Sequence, residues 1–422
     1  MTTGPRKGWL VVFAGLSINL ILGVLYAWGV IGKVLGSNWH WTKTQATLPF
    51  TVATVCFAGT MVFAGRCQDK FGPRRVATAG GIILGLGLLA SGLVHSPVLM
   101  ALTFGVGAGI GIGLGYSATT PPAIKWFPPA RKGVITGIVV SGIGLAAVYI
   151  SPLTQYLLGK TTISMTFIWL GVGTLALVPL LAQLLRNPPA QPAPAPASTP
   201  APIVSQRDSD WWEMMRTAQF YQLWWLMVLS ASAGMMIITQ VAMIAKEQAK
   251  WSWGFVPIAT LAIFNTLGRL LCGVLSDKIG RTRTMTLAFL LQAANMLAFS
   301  NYDSPEWVVF GSAFTGLCYG GIFTLMPATT ADFYGIRHLG VNYGLVFTAF
   351  GVAGVAGPLL GAQINDHFGS YYWAYNISAA MLVLGALLAI WTKPPRAQSR
   401  EEAPPISLSP TNPSALKPNP TP

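Results

Sequence analysis

Residues 65–75 read Gly-Arg-Cys-Gln-Asp-Lys-Phe-Gly-Pro-Arg-Arg, and residues 273–283 read Gly-Val-Leu-Ser-Asp-Lys-Ile-Gly-Arg-Thr-Arg. The two segments share Gly, Asp-Lys and Gly in register and end in basic residues, at an offset of 208 residues. Each follows a long apolar run, so each is expected to be a polar turn between two membrane-spanning helices.

The repeat extends beyond this motif. Residues 126–127 (Trp-Phe) correspond to residues 333–334 (Phe-Tyr) at an offset of 207, and three glycines follow each pair at the same spacing. Residues 113–116 and 316–319 both read Gly-Leu-x-Tyr. Matches in the same order across three segments indicate a duplicated unit.

Composition places these units in a membrane. Hydrophobic residues make up 53% of the chain, charged residues only 9%, and the mean hydropathy is +0.55, whereas soluble domains carry about 25% charged residues. Apolar runs of about 20 residues can cross a hydrocarbon core of about 30 Å. We predict an all-α integral membrane protein whose twelve transmembrane helices form two pseudo-symmetric six-helix bundles. The predicted spans are 8–31, 45–65, 76–95, 97–120, 133–158, 163–185, 220–245, 253–276, 284–302, 305–331, 341–364 and 370–392.

The net charge of +14 is distributed as a topology signal and does not indicate nucleic-acid binding. With the N-terminus placed in the cytoplasm, twenty of the 26 Lys and Arg residues are cytoplasmic and five are not. This bias predicts a multi-pass protein of the cell (inner) membrane with both termini cytoplasmic.

The proline distribution predicts the domain limits. Seven prolines between Asn187 and Pro202 indicate a flexible joint. We predict an N-terminal bundle (1–185), a cytoplasmic linker with a short interfacial helix before span seven (186–219), a C-terminal bundle (220–392) and a disordered tail (393–422).

Several classes of function find no support in the sequence. The four cysteines show neither a disulfide framework nor metal-ligand spacing. No ATP-binding P-loop is present, and no catalytic constellation lies in the spans. We therefore expect no cofactor, no metal and no enzymatic activity. The first apolar run is long enough to be a span instead of a signal peptide.

Arg269 is the most informative residue. All twelve acidic residues lie in loops, tails or span ends, so Arg269 is the only formal charge well inside a predicted span. It precedes Asp277 by eight residues, about 12 Å along a helix. A buried charge should face a cavity or a partner, and a guanidinium holds a carboxylate in a two-point fork. Snorkelling to the cytoplasmic interface is the competing interpretation.

Four polar residues are candidates to complete a pocket around Arg269. Asn265 lies one turn earlier on the same helix face, and Tyr116 and Tyr319 project from repeat-related spans. Tyr26, in span one, is a further candidate. Ordinary packing is the alternative for each tyrosine.

The repeated motif resembles the signature of the major facilitator superfamily, and the resemblance covers the whole pattern of spans. Its glycine allows helices to cross closely, its acid can accept hydrogen bonds from a neighbouring helix N-terminus, and its basic residues can lock the cytoplasmic side. We interpret the two motifs as conformational latches, with topology charge as the alternative. The latch residues are Gly65, Asp69, Arg74, Arg75, Gly273, Asp277, Arg281 and Arg283.

A finer resemblance rests on residues 23–28, the span-eight arginine, and residues 342–344 leading into 348–351. These are similar to bacterial oxalate/formate antiporters and the monocarboxylate transporter family. The oxalate carriers have a span-eleven lysine where this chain has Phe350, and mammalian monocarboxylate transporters have an aspartate where it has Asn265.

The resemblance implies a carrier of small monocarboxylates such as lactate and pyruvate. Proton symport is the first expectation, with Asp366 and His367 as a possible relay. Oxalate/formate-type antiport is the alternative, and a channel or sensor on the same fold is a third hypothesis. The expected partners are the anion, a proton and the lipid bilayer, with the carrier acting as a monomer.

Overall fold

The computed structural model describes residues 4–189, 208–251 and 253–395, and every regular element in these ranges is helical. The long helices, in chain order, are α1 (Arg6–Asn38), α2 (Gln45–Phe71), α3 (Pro73–Ser91), α4 (Pro97–Lys125), α5 (Pro129–Lys160), α6 (Ile163–Ala182), α7 (Ala218–Glu247), α8 (Phe255–Ile279), α9 (Arg281–Phe299), α10 (Pro305–Tyr334), α11 (Leu339–Phe368) and α12 (Tyr372–Trp391).

Eleven of these helices are long and apolar enough to cross a membrane, and α9 is the exception. It has 19 residues, as many as α3, but it is more polar. Its buried Asn295 donates hydrogen bonds to the Gly311 carbonyl oxygen and to Thr315, both on α10, at 3.1 Å. The polarity of α9 therefore serves contacts inside the protein, and the described chain supports eleven spans by composition where the sequence predicted twelve.

The helix packing repeats between the two halves of the chain. In the first half, α1 packs on α5, α2 on α4 and α3 on α6; in the second half, α7 packs on α11, α8 on α10 and α9 on α12. Across the halves, α2 packs on α11 and α5 packs on α8. Each contact thus has a counterpart about 208 residues away, as expected of a duplicated unit.

Glycines set the closest of these approaches. A Cβ atom added to Gly268 on α8 would overlap the Leu317 carbonyl oxygen on α10. The second glycine of each repeated motif has another role: Gly72 and Gly280 adopt φ angles of 86° and 95° in the turns after α2 and α8. Glycine adopts these angles without the strain that a Cβ would cause.

The segment before α7 contains a short helix, Trp211–Met215, where the sequence predicted one. Asp210 caps it by accepting a hydrogen bond from the Trp211 amide at 2.7 Å, and Met214 is fully buried. Most of the predicted proline-rich linker (190–207) and of the predicted tail (396–422) lies outside the described residues.

This segment is also fixed to the turn between α10 and α11. The Asp208 carboxylate accepts hydrogen bonds from the Ile336 and Arg337 amides, both at 3.1 Å. The Ser209 amide donates to the Tyr334 carbonyl oxygen at 2.9 Å. The last residues before α7 therefore form part of the folded second half.

Candidate functional site

Arg269 lies on α8 at the contact with α5, and its side chain is only 2% exposed. Its Nε donates to Asn265 Oδ1 at 3.0 Å, and its Nη1 donates to the Val140 carbonyl oxygen of α5 at 2.7 Å. The guanidinium lies 5.1 Å from the ring centre of Phe323. No carboxylate of the described chain pairs with it, so all its partners are neutral.

The hydrogen bonds of Arg269 leave donors available. A guanidinium has five N–H groups. Only two of those of Arg269 donate to a described residue. Nη2 and the second N–H of Nη1 remain for a ligand. A carboxylate needs two such parallel donors.

The predicted tyrosines gather around Arg269. Tyr26, Tyr116 and Tyr319 each lie close enough to interact electrostatically with its charge. Tyr116 and Tyr319 are buried, whereas Tyr26 remains 37% exposed. The Tyr319 hydroxyl contacts Met235 Sδ at 3.3 Å. The structure thus brings together all five candidate binding residues that the sequence analysis named.

An aromatic cluster beside Arg269 was missed by the sequence analysis. Phe347 on α11 lies at its centre, with ring-centre distances of 5.1 Å to Phe57 on α2 and 5.6 Å to Tyr116 on α4. Phe323 and Phe350 complete the cluster at 6.3 and 5.2 Å from Phe347. The spacing of aromatic residues 343, 347 and 350, one face of a helix, was the available signal.

The possible proton relay lies apart from this site. Asp366 and His367 are exposed near the end of α11, and Asp366 follows Phe350 by sixteen residues, about 24 Å along a helix. Burial, together with the carboxylates of Glu247 and Asp366, raises the pKa of the neighbouring Tyr371 to about 12. Asp366 therefore belongs to a polar group at that end of the bundle.

The opposite end carries the basic segments 66–75, 125–132 and 278–283 and residue 337, and we refer to it as the basic end. Here the second latch joins the two halves. Asp277 Oδ1 accepts from the Gly133 amide at 2.9 Å and Oδ2 accepts from the Val134 amide at 2.8 Å, at the start of α5. Arg281 Nη1 donates to the same carboxylate at 2.6 Å.

Arg281 also extends this network. Its Nε donates to Asp332 Oδ2 at 2.8 Å, and Asp332 Oδ1 accepts from Lys132 Nζ at 3.0 Å. Lys132 belongs to the first half and is buried. Neither Lys132 nor Asp332 was among the predicted latch residues; opposite charges at the ends of α5 and α10 were the available signal.

The first latch repeats the backbone contact. Asp69 Oδ2 accepts from the Val341 amide at 3.1 Å, at the start of α11. A Cβ atom on Gly65 would overlap the Gly340 carbonyl oxygen, as one on Gly273 would approach the Gly133 carbonyl oxygen. In both motifs the acid accepts from the first turn of a helix of the other half, and the glycine lies against the backbone of that helix.

The basic residues of the latches behave differently from one another. Among the predicted arginines only Arg281 forms ion pairs; within the described ranges Arg74, Arg75 and Arg283 form none. Pro73 occupies the position that corresponds to Arg281 at the repeat offset of 208. The first latch therefore lacks the arginine that reinforces the second.

Between described residues, the well-formed hydrogen bonds that join the two halves lie at the basic end and at Arg269. The structure is therefore closed at its basic end, with the Arg269 site at the inner limit of the closure. All four cysteines are free. Within the described residues no three His, Cys, Asp or Glu side chains are placed to hold a metal ion.

The sequence matches the model of the Major Facilitator Superfamily over residues 9–294 and 254–420. It is 29% identical to the oxalate:formate antiporter of Oxalobacter formigenes, over 93% of this chain and 94% of that protein. It is 23% identical to monocarboxylate transporter 13 of Bos taurus, over 90% of this chain and 88% of the other.

The fold is similar to that of the Escherichia coli fucose:proton symporter FucP, with a TM-score of 0.69. The likeness covers 93% of this chain and all of that one at 13% sequence identity. This likeness concerns the fold alone.

Proposed function

This chain belongs to the Major Facilitator Superfamily of transporters, and on that premise we propose that it carries small monocarboxylates by alternating access. The lactate and pyruvate class fits the Arg269 site. The proposal rests on one observation: the guanidinium is buried among neutral groups and keeps donors for a carboxylate.

The neighbourhood of Arg269 favours a substrate with a single negative charge. Phe323 and Phe350 lie 5.5 Å apart beside the guanidinium and present aromatic surface. A second carboxylate would meet this apolar surface without a partner, and burying an unpaired charge is costly. A short apolar tail would instead be favoured there.

Uptake of labelled lactate and pyruvate into proteoliposomes tests the proposal. We expect Arg269→Ala to abolish uptake, and Arg269→Lys to be poor because the planar fork is lost. The matched control is Arg66→Ala, which removes an exposed arginine on α2 that has no ion pair with a described residue. Near-normal uptake by Arg269→Ala at equal protein density would end the proposal.

Exchange of the oxalate/formate type is the second candidate, favoured by the 29% identity to the oxalate:formate antiporter. Under the first proposal oxalate competes weakly with lactate, and Phe350→Lys should strengthen its competition by adding the second positive charge. Strong oxalate competition in the unmodified protein, with uptake that requires internal substrate, would favour exchange.

We further propose coupling to protons. An anion that enters alone against an inside-negative potential costs about 2.3 kcal/mol per 100 mV, whereas an accompanying proton makes the transfer neutral. Asn265 cannot accept that proton, so the substrate carboxyl or the Asp366 and His367 pair would carry it. Symport predicts accumulation under an acid-outside gradient and collapse with a protonophore; uptake indifferent to the pH gradient would contradict it.

The orientation is part of the proposal. We place the basic end, both termini and the linker region 186–219 in the cytoplasm of a cell with an inner membrane, α9 as a twelfth span, and the carrier as a monomer. Cysteines introduced at Lys70 and Lys278 should be labelled by an impermeant reagent from the same, cytoplasmic side. Labelling from opposite sides would contradict this topology.

A further inference from the structure

The first turn of α11 carries three consecutive residues that contact three different parts of the molecule. The Val341 amide donates to Asp69 of the first latch at 3.1 Å. Asn342 Nδ2 donates to the Ser209 carbonyl oxygen, in the segment before α7, at 3.0 Å. The third residue, Tyr343, enters the aromatic cluster beside Arg269. Because one helical turn is stiff, a displacement of the backbone at any of these contacts also displaces the other two.

Tyr343 faces a tyrosine of the other half. Its ring lies 5.7 Å from Phe347, and the Tyr116 ring lies 5.6 Å from the same Phe347. The two hydroxyl groups interact with each other and with the charge of Arg269. Tyr116 belongs to α4 and Tyr343 to α11, so this contact crosses between the halves.

Both hydroxyl groups are buried, and neither makes a well-formed hydrogen bond with a described residue. Tyr343 is only 3% exposed. Buried hydroxyls normally have a partner, so a pair without one calls for an explanation. A carboxylate held on Arg269 would supply an acceptor for the Tyr116 hydroxyl, which in turn faces the Tyr343 hydroxyl of the other half.

We propose that Tyr343 is a positioning residue that couples occupancy of the Arg269 site to closure of the basic end. A carboxylate on Arg269 accepts a hydrogen bond from the Tyr116 hydroxyl, Tyr116 accepts in turn from the Tyr343 hydroxyl, and this chain of contacts fixes the first turn of α11. The same turn presents the Val341 amide to Asp69, so the bound anion strengthens the first latch. The inference rests on the proposed function, since it takes an anion at Arg269 as given.

The experiment compares Tyr343→Phe with Tyr375→Phe in the full chain. Both changes remove one tyrosine hydroxyl, and the Tyr375 hydroxyl bonds to Gln248 Oε1 at 3.0 Å, away from the aromatic cluster. Spin labels at Leu184 and Lys393, at the ends of α6 and α12, report the separation of the halves once the native cysteines are replaced. Lactate binding is measured in parallel by calorimetry.

In the parent protein and in Tyr375→Phe, we expect lactate to raise the fraction with a closed basic end. In Tyr343→Phe, lactate should still bind within about threefold of the parent affinity, but its effect on closure should fall about fivefold, the ratio equivalent to one net hydrogen bond. A residue that only packs would leave the response unchanged.

Three results would overturn the inference. A full lactate response in Tyr343→Phe would show that the hydroxyl transmits nothing. Loss of lactate binding in Tyr343→Phe alone would make the residue a direct substrate ligand. Absence of lactate and pyruvate binding in the parent protein would remove the proposed function itself, and this outcome is recognised because it precedes any substitution.

Discussion

The two latches should differ in strength, and neutralising their acids measures the difference. Asp277 accepts two backbone hydrogen bonds, at 2.9 and 2.8 Å, and one from Arg281. Its side chain is 8% exposed, so solvent screens these contacts little. Asp277→Asn keeps one acceptor oxygen and replaces the other with an NH2 group, which cannot accept from the backbone amides or from Arg281. Each hydrogen bond to a charged group contributes about 1.5–3 kcal/mol. The substitution should therefore destabilise the closed form by about 3 kcal/mol, which lowers the equilibrium constant for closure roughly 100-fold.

Asp69→Asn should have a much smaller effect. Among the described residues, Asp69 accepts one well-formed hydrogen bond, from the Val341 amide at 3.1 Å, while the Gly340 amide interacts with it more weakly and no arginine forms an ion pair with it. An asparagine can keep its oxygen on the Val341 amide and place its NH2 at the other position. The closed form should be destabilised by about 1 kcal/mol, which lowers the equilibrium constant for closure roughly fivefold.

The spin-label pair at Leu184 and Lys393 measures both effects, since both positions are exposed. The open fraction of the basic end is compared among the parent protein, Asp277→Asn, Asp69→Asn and Asp210→Asn. Asp210 caps the short helix before α7 and serves as the control for loss of one exposed carboxylate. Equal opening by Asp277→Asn and Asp69→Asn, or more opening by Asp69→Asn, would refute the argument from hydrogen-bond number.

Two further predictions concern packing and charge on α8. Gly268→Ala should lower the melting temperature in detergent strongly, because the new methyl group overlaps the Leu317 carbonyl oxygen; Gly173→Ala, where nothing lies within 4 Å, should change it little. Asn265→Asp places a carboxyl against Arg269, whose Nε now donates to Asn265 at 3.0 Å. Lactate affinity should then fall at least tenfold at high pH, where the carboxylate occupies the guanidinium, and recover as the carboxyl is protonated at low pH; a pH-independent affinity would contradict this.

Much of the fold could be predicted because membrane insertion is read from local composition. Apolar runs, basic loops and the repeat between residues 65–75 and 273–283 indicated the helices, their approximate limits and the duplication. The same reasoning failed to mark α9 as an exception. Its arginines and its buried Gln292 and Asn295 lower its hydropathy, and only the structure shows that these amides bond to α10.

The candidate binding residues could be predicted because charged residues are rare inside the spans. A single arginine within the spans is conspicuous because each charge in the bilayer is costly, so Arg269 and its helix neighbour Asn265 could be named directly. The tyrosines on α1, α4 and α10 could be named from their depth and from the repeat. Their positions relative to one guanidinium could not be derived from the sequence, because they depend on the packing of α5 on α8.

Sequence alone determined that this chain is a duplicated helical membrane protein with one lone cation inside it. Only the tertiary structure decided which backbone amides each latch acid accepts hydrogen bonds from. It also decided that Arg281 joins Asp277 to Asp332, and that Phe347 and Tyr343 face the site. The physical reason is that helices in a bilayer are apolar on every side, toward lipid as well as toward protein. Local periodicity therefore cannot tell which face meets which helix, and contacts between residues 144 and 272 positions apart are set by the packing of the whole bundle.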